Sequence, residues 1–194
     1  YILELGTMCT DVQIQNNGKI LGDPTEVAIV EKANLLNKNR NELYGRYPKI
    51  NEIPFDSNRK LMTTIHKVNN KYRVITKGAP DVLLDRCTKF YNDGIIENLN
   101  YSKINNLKNR NEELANKALR VIAVAYIDLD ILPQSLDEKF IENNLIFVGF
   151  IGMIDPPREG VKESIKKCKE AGIKIAMITG DHIDTATAIG KDLK

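Results

Sequence analysis

Apolar and polar positions follow three different rhythms along this chain, and each predicts a different kind of structure. A short apolar opening leads to Gly22-Asp23-Pro24-Thr25-Glu26, where the rhythm becomes helical. Asp23 is placed as an N-cap, Pro24 fits the first helical position, and Glu26 stands three residues after the cap. Ile29, Ala33 and Leu36 recur at helical spacing and predict the buried stripe of that helix. From Lys49 the rhythm shortens: Ile50, Ile53 and Phe55, then residues 61–68, then residues 72–76 are β-leaning runs separated by polar turns. Asn69-Asn70 can supply the left-handed backbone angles of a tight hairpin, so this middle section is predicted to be antiparallel sheet.

Ala79-Pro80-Asp81 is predicted to open a short helix ending near Cys87, and Asp93-Gly94 marks a turn in the loop that follows. Ile104, Leu107, Leu114 and Ala118 repeat on one face of a longer helix, which hands over to an apolar strand at 121–127. A polar stretch at 133–144 precedes the last strand of this half, and the domain boundary is expected between Gly152 and Pro157. Beyond it the rhythm is helix, strand, helix. Residues 157–171 carry Val161, Ile165 and Cys168 on one face and stop at Gly172; residues 173–178 read as a buried strand feeding Thr179-Gly180-Asp181, with Asp181 as cap of the closing helix. The fold class expected is α+β: an antiparallel sheet flanked by helices in residues 1–153, then a partial α/β parallel-sheet segment in residues 154–194.

Composition narrows the class of protein. A chain of 194 residues with 42% hydrophobic content can bury a real core. The 28 Lys+Arg against 26 Asp+Glu leave a net charge of +2, too balanced for a polyanion surface, so nucleic acid is not an expected partner. Cys9, Cys87 and Cys168 are odd in number and lack CxxC spacing, which points away from a disulfide framework or a zinc site and toward a reducing compartment. The longest apolar run, 145–154, falls well short of the roughly 20 residues of a membrane-crossing helix. With no initiator Met and no signal-peptide pattern, the sequence reads as a piece of something longer.

The common nucleotide signatures are absent. Gly18-Lys19 and Gly190-Lys191 lack the Ser/Thr and upstream Gly of a P-loop, and there is no GxGxxG. His66 and His182 are isolated, with no HExxH, and no Gly-x-Ser-x-Gly elbow occurs.

Four segments nevertheless resemble, in order and wording, the nucleotide-binding domain of P-type ATPases, particularly the calcium-pump branch. They are Gly-Asp-Pro-Thr-Glu at 22–26, Pro-Phe-Asp-Ser-Asn-Arg-Lys-Leu-Met at 54–62, Lys-Gly-Ala-Pro-Asp at 77–81 and Leu-Arg-Val-Ile-Ala-Val-Ala-Tyr at 119–126. Asp-Pro-Pro-Arg at 155–158 and Thr-Gly-Asp at 179–181 resemble the family's hinge and the adjoining phosphorylation domain, which is haloacid dehalogenase-like. The resemblance implies ATP as ligand. Phe55 is expected to stack on adenine with Glu26 near its amino group, while Lys60, Lys77 and Gly78 line the pocket and Arg120 reaches the phosphates. Asp155 and Arg158 would belong to the hinge, and Thr179, Gly180 and Asp181 would help position the transferring phosphate.

The resemblance also implies what lies elsewhere. The family's Asp-Lys-Thr-Gly-Thr motif, its Gly-Asp-Gly-x-Asn-Asp stretch that helps hold Mg²⁺ and its Thr-Gly-Glu-Ser loop do not occur in this sequence. Catalytic and metal-binding residues are therefore expected in other parts of the pump. Phosphoryl transfer depends on bringing nucleophile, metal and phosphate together, so this chain alone is expected to bind ATP without hydrolysing it. Its implied partners are the remaining phosphorylation, actuator and membrane domains of a parent on the cytoplasmic face of a membrane. Calcium is the ion the wording favours; sodium, potassium and proton stay open because the ion-binding helices are not in this sequence.

Each assignment has a purely structural counterpart. Glu26 can serve as a capping-box residue, Phe55 as core, Arg59-Lys60 as a solvated strand edge, Lys77-Gly78 as a turn and Arg120 as an amphipathic surface residue. Two other functions compete: a haloacid dehalogenase-type phosphatase, which needs an Asp-x-Asp after an early strand, and a non-catalytic module that binds protein.

Overall fold

The computed structural model describes residues 1–117, 119–133, 137–154, 158, 160–178 and 183–193. They fall into two compact units, residues 1–108 with 122–151 and residues 109–121 with 152–194.

In the first unit, helix α1 (Ile2–Met8) and a small antiparallel pair, β1 (Gln13–Ile14) and β2 (Ile20–Leu21), lead to α2 (Pro24–Leu35) and α3 (Arg40–Arg46). Asp23 caps α2 as the sequence predicts, its Oδ1 accepting from the Thr25 amide at 2.9 Å. The buried stripe of α2 is Ile29, Val30 and Ala33. Leu36 departs from the expected stripe: it is the C-cap residue, where the helical spacing ends, and it is exposed. Asn39 caps α3 by accepting from the Asn41 amide at 2.9 Å.

Strands β3 (Lys49–Asp56), β4 (Leu61–Val68) and β5 (Lys71–Gly78) form the expected antiparallel meander. β4 and β5 pair without a break from Leu61↔Gly78 to Val68↔Lys71 around the Asn69-Asn70 turn, with Asn69 at φ 55°. After α4 (Pro80–Leu84) come β6 (Cys87–Asn92), β7 (Ile95–Asn98), α5 (Tyr101–Ala115), β8 (Arg120–Leu129), α6 (Glu138–Ile141) and β9 (Leu145–Met153). The large sheet has the order β3-β4-β5-β8-β9-β6-β7.

This sheet corrects the expected one in two ways. It is mixed, because β9 runs parallel to β6 with Cys87 opposite Leu145. The Asp93-Gly94 turn also closes a β6–β7 hairpin where a loop was expected, its two residues taking φ 44° and 94°. Cys87 accordingly opens a strand, and α4 ends at Leu84.

Burial of every residue from Leu61 to His66 follows from covering the sheet on both faces. Met62, Ile75, Val124 and Tyr126 pack with Leu5, Met8 and Leu43 of α1 and α3. Leu61, Ala123 and Ala125 pack on the other side with Leu83 and Leu84 of α4 and with Leu145 and Phe147.

The second unit contains α7 (Val161–Glu170) and α8 (Ile183–Asp192). Val161, Ile165 and Cys168 form its half-buried face, and Gly172 at φ 74° follows the helix end, as the sequence predicts. Residues 173–178 do not form the expected strand. A strand is held by a hydrogen-bonded neighbour, and among the described residues none pairs with this run; Ile173, Ile175, Met177 and Ile178 stay exposed. The parallel-sheet segment expected after 154 is thus not formed by the described residues. Ala118, Asp155, Thr179, Gly180 and Asp181 lie outside them. No helix among the described residues is long and apolar enough to cross a membrane.

Candidate functional site

Five of the sequence-predicted residues, Glu26, Phe55, Lys60, Lys77 and Gly78, meet at one end of the β3–β4–β5 meander. Ile53 pairs with Thr63 and Asp56 with Leu61, so Pro54 and Phe55 together stand opposite Met62. That is one residue too many, a β-bulge on the edge strand of the sheet. A bulge tolerates Pro54, which has no amide to give to the ladder. Phe55 follows it with 62% of its surface exposed, so it is not the core residue that its hydrophobicity alone predicts.

The turn after Phe55 is built by Asp56. Its Oδ1 accepts from the amides of Asn58 and Arg59 at 3.0 and 2.8 Å, and its carbonyl accepts from the Lys60 amide at 2.6 Å. Lys60 adopts a left-handed φ of 57°, which turns its carbonyl toward β5, where the Ala79 amide donates to it at 3.1 Å. A Cβ on Gly78 would lie 2.1 Å from that carbonyl oxygen and 2.9 Å from Leu61 Cα. Only glycine fits there, and the fit locks Lys60 to Gly78.

Lys77 pairs with Met62 on β4 and with Val124 on β8. Its Nζ meets Glu26 Oε1 at 2.5 Å, and the other carboxylate oxygen of Glu26 accepts from the Asp11 amide at 2.7 Å. Lys77 keeps only 5% of its surface exposed. α2 and β5 thus bring together two residues that the sequence singles out separately, and Glu26 acts as counter-ion to Lys77. Lys60, in contrast, is exposed.

Arg120, the first residue of β8, and Arg158 are exposed and belong to the second unit. Asp155, Thr179, Gly180 and Asp181 lie outside the described residues. Among the described residues no group of three or more His, Cys, Asp or Glu side chains converges in the manner of a metal site.

Two residues of this region have roles that the sequence does not announce. Arg59, expected on a solvated edge, has a side chain only 9% exposed and is ion-paired with the fully buried Glu142. Nothing local signals that contact, since 83 positions separate the two.

A family model described as P-type ATPase, cytoplasmic domain N, matches residues 1–160. The chain belongs to this P-type ATPase family. As a P-type ATPase segment it is 43% identical over 194 residues to a calcium-transporting ATPase of Listeria monocytogenes, covering 99% of this chain and 22% of that protein. It is 41% identical to a calcium-transporting ATPase of Bacillus subtilis, across 100% of this chain and 22% of that one. The alpha-1 subunit of the sodium/potassium-transporting ATPase of Oreochromis mossambicus is 38% identical over 89% of this chain and 18% of its own length. The chain spans about a fifth of the length of these P-type ATPases. Membership of the family disfavours both competing readings, the haloacid dehalogenase-type phosphatase and the protein-binding module.

Proposed function

We propose that this chain is the ATP-binding part of a cation-transporting P-type ATPase and that Phe55, Lys60, Lys77 and Gly78, with Glu26, form its adenosine-binding pocket. The observation that carries this reading is the union of an exposed aromatic ring on a bulge with the Lys60–Gly78 interlock and the Glu26–Lys77 pair. An exposed ring offers a stacking surface worth about 1–3 kcal/mol per base, and the Glu26–Lys77 pair joins α2 to β5 in the same unit. No glycine-rich loop cradles phosphates here, so the base is gripped while the terminal phosphate stays free to leave. Arg120 is proposed to reach the phosphates. Affinity on this scheme is modest, with a dissociation constant between about 10 μM and a few mM.

In the longer protein the γ-phosphate would pass to an aspartate outside this sequence. Residues 1–153 would be the nucleotide-binding domain. Residues 154–194 would be the hinge, with Asp155 and Arg158, and part of the haloacid dehalogenase-like phosphorylation domain, where Thr179, Gly180 and Asp181 help position the phosphate and 173–178 gains its strand neighbours. Calcium is the ion proposed, since the Listeria and Bacillus relatives carry that name. The parent's phosphorylation, actuator and membrane domains are the proposed partners, and the cytoplasmic face of a membrane the proposed location. Mg²⁺ is assigned to the parent. Glu26 here answers a lysine and not a metal, so the residues of this pocket do not fit the ion.

Calorimetric titration of the chain with ATP, with AMP as competitor and a phosphate-release assay alongside, tests the proposal. Saturable binding competed by AMP, with no phosphate released, supports it. Lack of binding up to about 10 mM ATP, beyond the affinity range above, removes it in favour of a protein-binding module.

A further inference from the structure

Arg59 sits in an exposed turn, yet its side chain folds back and is almost wholly buried. One guanidinium nitrogen, Nη2, donates to the Pro54 carbonyl at 2.6 Å. Nη1 donates to Glu142 Oε1, and Nε lies 3.8 Å from Glu138 Oε2. Glu142 has no exposed surface, and its Oε1 also accepts from Thr63 Oγ1 at 2.6 Å, which shares a hydrogen bond with Thr76 Oγ1 at 2.9 Å. The second carboxylate oxygen, Oε2, is buried and has no partner among the described residues.

An ion pair built this way is a poor device for stability alone, because removing two charges from water consumes most of what their attraction returns. Its geometry has another use. The carbonyl that Arg59 holds belongs to Pro54, inside the bulge and directly before Phe55. A bulge breaks the ladder, so the chain there lacks the regular pairing that fixes a strand residue in place. Asp56 secures the bulge on its far side through the turn amides, and Arg59 secures it on the near side, anchored in turn to a buried carboxylate.

We propose that Arg59 and Glu142 are a positioning pair that sets Phe55 in its stacking orientation, so that the segment following α6 contributes to nucleotide affinity without touching nucleotide. The inference rests on the adenosine-binding reading of Phe55. A preorganised ring loses less freedom when a base stacks on it, and this part of the affinity goes when the clamp goes. The planar guanidinium is required, because only its fork reaches the Pro54 carbonyl and the carboxylate together; a lysine ammonium carries the charge without that geometry.

The test uses Glu142→Gln, which keeps an acceptor for Thr63, and Arg59→Lys, each alone and combined with Phe55→Ala. ATP affinity is measured by calorimetry at a temperature where circular dichroism shows every variant folded, and amide hydrogen exchange is followed at 55–60 without nucleotide. The pair predicts that Glu142→Gln and Arg59→Lys each weaken ATP roughly three- to tenfold, a fraction of the stacking contribution. It also predicts faster exchange at Arg59 and Lys60 and no further loss of affinity once Phe55 is alanine. Should either variant fail to fold, the other carries the measurement. Phe55→Ala weakening ATP while both clamp variants bind within twofold of the parent chain overturns the positioning role. A clamp penalty that persists in the Phe55→Ala background overturns it as well. ATP binding indifferent to Phe55→Ala overturns the adenosine reading itself, and this use of the clamp with it.

Discussion

Glu26 on α2 and Lys77 near the end of β5 meet through a 2.5 Å contact that joins the helical layer to the sheet. With 13% and 6% of their side chains exposed, both charges depend on each other more than on water. Replacing one leaves the other stranded. Glu26→Gln or Lys77→Met should lower stability by about 2–4 kcal/mol, toward the range for breaking a buried pair. The double variant should recover at least half of that loss. Urea unfolding of the three variants checks this, and additive losses would contradict it.

Gly78→Ala should be worse than its size suggests. The added methyl falls 2.1 Å from the Lys60 carbonyl oxygen, a backbone atom fixed by the Ala79 amide, so the turn must move. A loss of about 3 kcal/mol, the upper end of the range for overpacking, is expected, together with weaker ATP binding because Lys60 moves with the turn. Thermal unfolding and an ATP titration of this variant measure both effects.

The fold is legible in the sequence wherever pattern and turn chemistry agree. The β4–β5 hairpin follows from two β-leaning runs around Asn69-Asn70, and α2 from Asp23 and Pro24. The β6–β7 hairpin is hidden even though its Asp93-Gly94 turn is plain, because Thr88, Lys89 and Asn92 dilute the strand pattern. α1 and α3 are hidden because seven residues offer too few turns for a period to show. Residues 173–178 mislead for the opposite reason: their apolar run is strong, but strand formation needs a neighbour and local pattern cannot supply one.

The candidate site divides in the same way. Motif wording singles out Phe55, Lys60, Lys77, Gly78 and Glu26, which the fold brings to one end of the meander, but it says nothing of their mutual contacts. Arg59 and Glu142 carry no periodic signal, and their contact depends on the placement of β9 beside β8, a non-local property of the sheet.

His66 gives the fold a pH dependence with a definite sign. It is fully buried, with Nδ1 3.0 Å from the Tyr47 carbonyl and Nε2 3.1 Å from Thr64 Oγ1 and from the Met8 carbonyl. Burial, with Lys49 and Arg40 adding to it, pushes its pKa below the ordinary 6.5 despite the two carbonyls. A neutral ring has one N–H, which donates either from Nδ1 to the Tyr47 carbonyl or from Nε2 to the Met8 carbonyl and Thr64 Oγ1. The unfolded chain then binds a proton that the folded chain refuses, so stability should fall as pH drops below 6.5, by at most about 1.4 kcal/mol per pH unit from this group. Urea midpoints between pH 7 and pH 5 should show this slope in the parent chain and a shallower one in His66→Gln.

Thiol reactivity should separate the three cysteines. Burial raises the pKa of Cys9 and pushes that of Cys87 up to about 12, while Cys168 is only half-buried. The thiolate is the reactive species, so a disulfide reagent at pH 8 should label Cys168 first and the other two only on unfolding. Mass mapping of the labelled peptides identifies the order, and early labelling of Cys9 would contradict the packing of α1 against the sheet.

Nucleotide binding at Phe55 is tested most directly by an amide NMR titration of this chain with ATP, repeated with Phe55→Ala. Saturable shifts concentrated at Glu26, Phe55, Lys60, Lys77 and Gly78 are expected, with an affinity reduced roughly fivefold or more by Phe55→Ala, the lower bound of the stacking contribution. Shifts that saturate elsewhere, or an affinity unchanged by Phe55→Ala, would contradict nucleotide binding at Phe55.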